Sequence, residues 1–270
     1  MGNCLNKLNS NNSNAQSSNS NTSSNTQNRV PPLTKSGLVV GLNYTGTSAG
    51  LNGCINDAKS VKSVLRNKFG YKNVTLLTDR ELSRNKNVLE SLIEFVSNPT
   101  DIMVFHYSGH GTQIKDYSND EPDGLDEALY TKYGILVSDD EINKVLRKLP
   151  ATTKFLFISD SCHSGSQIDL PWQLNDGNIS EINEDLIQAD IISISGCRDN
   201  QVSMDIQSGP VSYGALTNSL TRLLNTVDPT KVTWKKLVDQ LRVNMRHEKY
   251  AQVPQLCVSR KGLFDEPLNL

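Results

Sequence analysis

Two short apolar runs constrain this chain most: IMVF within Asp101 to His106, and FLFIS within Lys154 to Ser159. Runs of this length and composition fit strands buried on both faces, as in a parallel sheet covered by helices. Each opens into a loop of small and reactive residues, HYSGHG ending in His110 and Gly111, and DSCHSG centred on Cys162, 52 positions further on. The ends of buried parallel strands are where open α/β sheets carry their chemistry. A thiol and an imidazole brought to neighbouring strand ends make a nucleophile with its base, the minimum equipment for acyl transfer.

The rest of the chain alternates in the same way. Gly37–Asn43 (GLVVGLN) predicts a first strand, and Asp57–Phe69 a helix with Ala58, Val61, Leu65 and Phe69 on one face. Asn73–Thr78 predicts a second strand, followed after a Ser83 cap by a helix striped with Val88, Leu89, Leu92, Ile93 and Val96. Asp101–Ser108 is the third strand. A loop rich in Gly and Asp follows, then a helix from about Asp139 with Ile142, Val145, Leu146 and Leu149 inward. The fourth strand, Thr153–Asp160, delivers the cysteine. Beyond it come a strand at Asp190–Cys197, helices near Tyr213–Asn225 and Thr233–Glu248, and a last strand at Gln255–Ser259. Strands flanked by helices at this spacing predict an α/β fold, a mostly parallel sheet between two helical layers.

Composition sets the surroundings. The first 30 residues hold no acid, and between Asn9 and Asn28 every residue except Ala15 is Asn, Ser, Gln or Thr. Such a stretch has nothing to bury and is expected to be a disordered extension (1–30) before one folded domain (31–270). Without the extension's Lys7 and Arg29, 25 basic residues face 29 acidic ones, so no bulk basic field draws in nucleic acid. Five scattered cysteines (Cys4, Cys54, Cys162, Cys197, Cys257) lack paired spacing, and no apolar leader opens the chain. The expectation is a cytoplasmic protein without a disulfide framework. No run approaches the roughly 18 apolar residues of a membrane span. MGNC nevertheless offers Gly2 for myristoylation and Cys4 for palmitoylation, with Asn6 where the usual pattern has Ser or Thr. Two such chains would anchor the protein durably to a membrane.

HYSGHG and DSCHSG, together with GLNYTGTSAGLNGCINDAKSV, DGLDEALY, VSDDEI, ISISGCRDNQVSMD, YGALTNSL and PQLCVS, closely resemble the metacaspases, caspase-like cysteine peptidases of plants, fungi and protozoa. The match runs in order from Leu38 to Ser259. Its layout is similar to the type I branch, with an N-terminal extension and no long insertion after the cysteine-bearing portion; the extension of that branch is usually rich in Pro and Gln, and here it is rich in Asn and Ser. The resemblance implies a caspase-like three-layer α/β/α sandwich and a monomeric, self-processing endopeptidase made as a zymogen.

Residue roles follow from both readings. A free thiol is only a few per cent ionised at pH 7, so Cys162 needs an electropositive partner, and His110 is the base that then serves as acid to the leaving amine. Gly111 leaves its amide open to help that of Cys162 hold an oxyanion, as the family implies. His106 lies within its strand as a packing or hydrogen-bonded residue, His247 on a late helix in solvent, and His163 points away. Asp160, two residues before Cys162, shares its face on an extended strand. A carboxylate there raises the thiol pKa, so a cationic substrate side chain is the expected reason for it. Asp57 by itself reads as a helix-start acid. In the family, the acids matching Asp57 and Asp160 line the primary specificity pocket beside residues matching Cys54 and Ser108, which implies cleavage after Arg or Lys in protein or peptide substrates. A guanidinium fork suits paired carboxylates.

A second acidic set, Asp123, Asp139, Asp140 and Asp169, offers the hard oxygen ligands that suit Ca²⁺ and not zinc. Taken alone these are ordinary turn and cap residues; the resemblance implies a regulatory calcium site, with Asp120, Glu121, Asp126 and Glu127 near enough in sequence to substitute. Self-cleavage is expected at Arg29 and Lys35, in or beside the extension. Two alternatives belong to other classes: a weak or inactive caspase-fold scaffold that acts by protein binding, and a caspase-fold peptidase of clostripain-like or separase-like specificity.

Overall fold

The computed structural model describes residues 31–116, 124–162, 168–175, 177–182, 187–196, 205–208 and 211–270. In chain order the first half runs β1 (Lys35–Gly41), α1 (Cys54–Asn67), β2 (Asn73–Thr78), α2 (Val88–Val96), β3 (Ile102–Ser108), β4 (His110–Lys115), β5 (Leu125–Tyr130), β6 (Leu136–Ser138), α3 (Asp139–Leu146) and β7 (Lys154–Asp160). The second runs β8 (Trp172–Asn175), β9 (Asn178–Glu181), β10 (Asp190–Ser195), β11 (Asp205–Ser208), β12 (Val211–Gly214), α4 (Ala215–Thr226), α5 (Trp234–His247) and β13 (Gln255–Val258).

Eight strands form the main sheet in the order β2-β1-β3-β7-β10-β13-β8-β9. The five from β2 to β10 are parallel, and β13, β8 and β9 continue it antiparallel. The mostly parallel sheet read from the sequence is thus observed, between helices on both faces. Side-chain alternation on the two central strands sets the layers. Ile102, Val104, Leu156 and Ile158 face α1, α4 and α5, where Trp234 is fully buried. Met103, Phe105, Tyr107, Phe155 and Phe157 face α2 and α3, with the Phe105 and Phe157 rings stacked at 5.3 Å. Leu33–Leu270 is one compact unit around this sheet. Among the described residues no helix is long and apolar enough to cross a membrane.

Local signals set some boundaries differently from the expectations. The first helix starts at Cys54 with Gly53 as its N-cap, so Asp57 lies in its first turn, and its carboxylate is turned to Ser108 and Gly214 and not to the start of its own helix. The cap of α2 is Asn87, which accepts from the Glu90 amide, whereas Ser83 makes an isolated bridge with Lys86. At α3, Ser138 and Glu141 complete a capping box ahead of Asp139. The Gly- and Asp-rich stretch read as a loop carries a small antiparallel sheet, β4-β5-β6. Lys35 corrects the expectation of an accessible cleavage point. It opens β1, its backbone pairs with Ile102, and its Nζ donates to the carbonyls of Phe69 (3.1 Å) and Leu270 (2.9 Å). Cutting after it would unzip a strand in the sheet interior. Arg29, Gly2, Cys4 and the Asn/Ser-rich extension lie outside the described residues.

Candidate active site

Register puts the thiol and the imidazole together. In the parallel pair β3/β7, Ser108 stands opposite Asp160, and the chains leave the sheet side by side; His110 and Cys162 each follow two residues later. The Gly109 amide still reaches the Asp160 carbonyl at 3.4 Å. A Cβ on Gly111 would lie 2.0 Å from the Cys162 carbonyl oxygen and 3.2 Å from Ser161 Cβ, so the start of β4 presses directly on the cysteine backbone. Only glycine permits that approach. Cys162 is half-buried and not in a disulfide.

His110 is held at several points. Its Nε2 lies 2.8 Å from the Ala49 carbonyl, an acceptor only, so Nε2 carries a proton and Nδ1 is the ring nitrogen left for a reaction partner. Its backbone N–H donates to the Tyr44 hydroxyl (2.9 Å), and its carbonyl accepts from Tyr107 (3.0 Å). The Tyr44 ring lies against the imidazole at 4.9 Å, and Tyr130 meets it edge-on at 6.3 Å. Of the competing histidines, His247 is exposed at the end of α5, and His163 lies outside the described residues. His106 is fully buried on β3, with Nε2 3.2 Å from the Thr217 hydroxyl and Nδ1 without a partner. Burial pushes its imidazole down to about 3.

Three of the four pocket candidates come together, and the fourth, Cys54, lies at the start of α1, three residues before Asp57. Cys54, Asp57, Ser108 and Asp160 are all buried. Ser108 donates to Asp57 Oδ2 at 2.7 Å, and both Asp57 oxygens accept from the Gly214 amide at 2.9 and 3.0 Å. Asp160 Oδ2 accepts from the Thr217 amide at 2.9 Å. A Cβ on Gly214 would sit 2.2 Å from Asp160 Oδ2 and 2.9 Å from Asp57 Oδ2, so the two carboxylates converge on one glycine. The N-cap Gly214 has no side chain to cap α4, and these acids from α1 and β7 do it instead. That structural duty is a reason for Asp160 that sequence reasoning did not supply.

The acidic set is only partly assembled. Asp139 is buried, with one oxygen accepting from the Glu127 amide (2.8 Å) and the other from the Asp140 amide (2.7 Å). Burial pushes its carboxyl up to about 8, and the Glu127 and Asp126 carboxylates add to the rise. Asp140 pairs with Lys144 at 3.3 Å. Asp169, in the left-handed region at φ 45°, follows Ile168, whose carbonyl accepts from Asn143 on α3 at 3.1 Å, so the chain at Ile168 docks on that helix. Asp123, Asp120 and Glu121 lie outside the described residues, and among those described no three carboxylate, thiol or imidazole groups gather closely enough to hold a metal. The donor chemistry and the surplus negative charge around Asp139 fit a hard cation; the described residues alone do not complete a cage.

Residues 35–171, spanning both His110 and Cys162, match the family model described as metacaspase, peptidase C14 domain. The chain belongs to the metacaspases. It is similar to proteins named Metacaspase-1 from Meyerozyma guilliermondii (32% identity over 83% of this chain and 69% of that protein) and Schizosaccharomyces pombe (31%, 83% and 67%). One from Cryptococcus neoformans is 33% identical over 83% of this chain and 62% of its own. A crystal structure of a Geobacter sulfurreducens protein superposes with a TM-score of 0.63 at 27% identity, covering 87% of this chain and 97% of that one. The metacaspase is therefore a caspase-like cysteine peptidase, a hydrolase of protein or peptide substrates.

Proposed function

We propose that this metacaspase cleaves after Arg or Lys through a thioester formed on Cys162. The observation that carries the reading is the β3/β7 register, with Gly111 pressed on the Cys162 backbone beside a His110 whose Nε2 is held by the Ala49 carbonyl. The Cys162 thiol passes its proton to His110 Nδ1, and the thiolate attacks the scissile carbonyl carbon. Backbone amides at Gly111 and Cys162 hold the oxyanion. As the C–N bond breaks, the imidazolium returns the proton to the leaving amine. Water, deprotonated by His110, then hydrolyses the thioester and restores the thiol. The substrate cation is read by Asp57 and Asp160, steadied by Ser108 and flanked by Cys54; their convergence on Gly214 supports a two-carboxylate site for a guanidinium.

Calcium is the proposed activator. Asp139, Asp140, Asp169 and Asp123 would hold it, and bound there it would neutralise carboxylate charge beside the loop that follows Cys162. Self-processing is assigned to Arg29, in the extension. Gly2 and Cys4 are proposed acylation sites of an otherwise cytoplasmic monomer. One assay tests the set: purified protein, with and without millimolar Ca²⁺, is given fluorogenic peptides ending in Arg, Lys or Asp, and new N-termini are sequenced. Calcium-dependent cleavage after Arg and Lys is expected. Preferential cleavage after Asp overturns the pocket, and full activity in chelator overturns the calcium assignment.

A further inference from the structure

The hairpin that carries His110 rests on two tyrosine hydroxyls. Tyr44 Oη accepts from the His110 N–H at 2.9 Å and donates to the Tyr130 carbonyl, directly across the β4/β5 pair from His110. Tyr107 Oη lies 3.0 Å from Tyr44 Oη and donates to the His110 carbonyl at 3.0 Å. Both rings are buried, and burial pushes both hydroxyls well above the usual phenol range, so each stays a neutral donor. Gly109 lets the chain ride over them: a Cβ there would lie 2.6 Å from Tyr107 Oη and 2.8 Å from Tyr44 Oη. Tyr44 also presses its ring on the imidazole, so one side chain fixes both the backbone and the ring of His110.

Tyr44 is itself held out of an ordinary conformation. Its φ is 49°, a region that costs a bulky residue of order 1 kcal/mol or more and persists only when the surroundings enforce it. The enforcing group is Asp79, at the end of β2. Its two oxygens accept from the Asn43 amide (2.8 Å) and the Tyr44 amide (2.9 Å), clamping the turn that follows β1. The Lys132 ammonium in turn donates to the Asp79 carbonyl. The chain of contacts runs from Asp79 to the turn, from the turn to the Tyr44 hydroxyl, and from that hydroxyl to His110.

We propose that Tyr44 is a positioning residue for the base, set in place by Asp79, and that it aligns the His110 imidazole with Cys162. The inference rests on the assignment of His110 and Cys162 above. Angular error at a base is costly, since misplacement by about 1 Å can lower a rate on the order of a hundredfold.

The test is Tyr44→Phe, which keeps the ring and deletes the hydroxyl, beside Asp79→Ala, Tyr71→Phe and Cys162→Ala. Tyr71 is a buried tyrosine whose hydroxyl has no partner, and its variant should match the wild type. Tyr44→Phe should lower kcat about ten- to a hundredfold with KM nearly unchanged. Iodoacetamide labelling of Cys162 across pH should shift toward the free-thiol value of roughly 8.5, because a misaligned imidazole no longer stabilises the thiolate. Asp79→Ala should give the same signature. If Tyr44→Phe keeps wild-type kcat and labelling profile, or loses activity only through KM or unfolding with the profile unchanged, the positioning role is wrong. Full turnover by Cys162→Ala would instead overturn the assignment on which it rests.

Discussion

Gly111→Ala isolates the geometry of the site in one methyl group. Gly111 does not have a positive φ, so alanine is conformationally permitted and the effect is steric. The new Cβ would lie 2.0 Å from the Cys162 carbonyl oxygen and 3.2 Å from Ser161 Cβ, both on the strand exit that carries the nucleophile. Real Cβ atoms stay beyond 3.0 Å of such neighbours, so the two chains must part by about 1 Å. Overpacking of this kind costs about 1 to 3 kcal/mol of stability. The domain should tolerate that loss, because Gly111 is half-buried and the sheet beneath it is untouched. Catalysis should not: a displacement of about 1 Å between base and nucleophile predicts a fall on the order of a hundredfold in kcat/KM. The assay is steady-state cleavage of an Arg peptide, with thermal unfolding to confirm the fold. A folded Gly111→Ala protein with wild-type turnover would refute the close approach as a requirement of the site.

Asp57→Asn and Asp160→Asn should each lower kcat/KM for Arg and Lys peptides about ten- to a hundredfold, a charged hydrogen bond being worth about 1.5 to 3 kcal/mol, and an unchanged kcat/KM in both would remove the acids from the pocket. Because both acids also cap α4, Asp160→Ala should lower stability by about 1 kcal/mol in urea unfolding; no change would argue against the capping role. His106 predicts a pH dependence. It stays neutral in the folded state down to about 3, whereas the unfolded imidazole protonates near 6.5, so stability is lost as pH falls through that window at up to about 1.4 kcal/mol per unit. His106→Gln should flatten the slope by about one proton, and an unchanged slope would place the acid sensitivity elsewhere. Asp139→Ala with Asp140→Ala should leave a folded protein whose activity ignores calcium, with some stability lost as the Glu127 and Asp140 amides lose their acceptor; a retained calcium response would remove both from the site.

The buried parallel strands were legible because their apolar runs are nearly unbroken, and the reading of HYSGHG and DSCHSG as neighbouring strand ends agrees with the pairing of β3 and β7; the register itself came from the structure. Asp57, Ser108 and Asp160 were read as one pocket and do meet around Gly214, yet the service of the two acids as caps for α4 was not readable. It depends on Gly214, a helix start whose own side chain gives no signal. The sheet β4-β5-β6 was missed because its strands are short and half polar, without a clean alternation. Tyr44, Ala49 and Asp79 escaped for another reason. Their roles are a hydroxyl, a backbone carbonyl and a carboxylate meeting across three loops, and no sequence spacing encodes that meeting. Lys35 was misjudged from its nearness to the extension, since a lysine can open a buried strand when carbonyls take its ammonium at the edge.

The most direct test of the central claim is the mass of the enzyme caught during turnover. Wild-type protein, mixed with an Arg peptide ester and quenched in acid, should carry one acyl group, mapped by digestion to Cys162. The group should be absent from Cys162→Ala and fail to accumulate in His110→Ala. An acyl group on another side chain, or undiminished peptide cleavage by Cys162→Ala, would contradict the account.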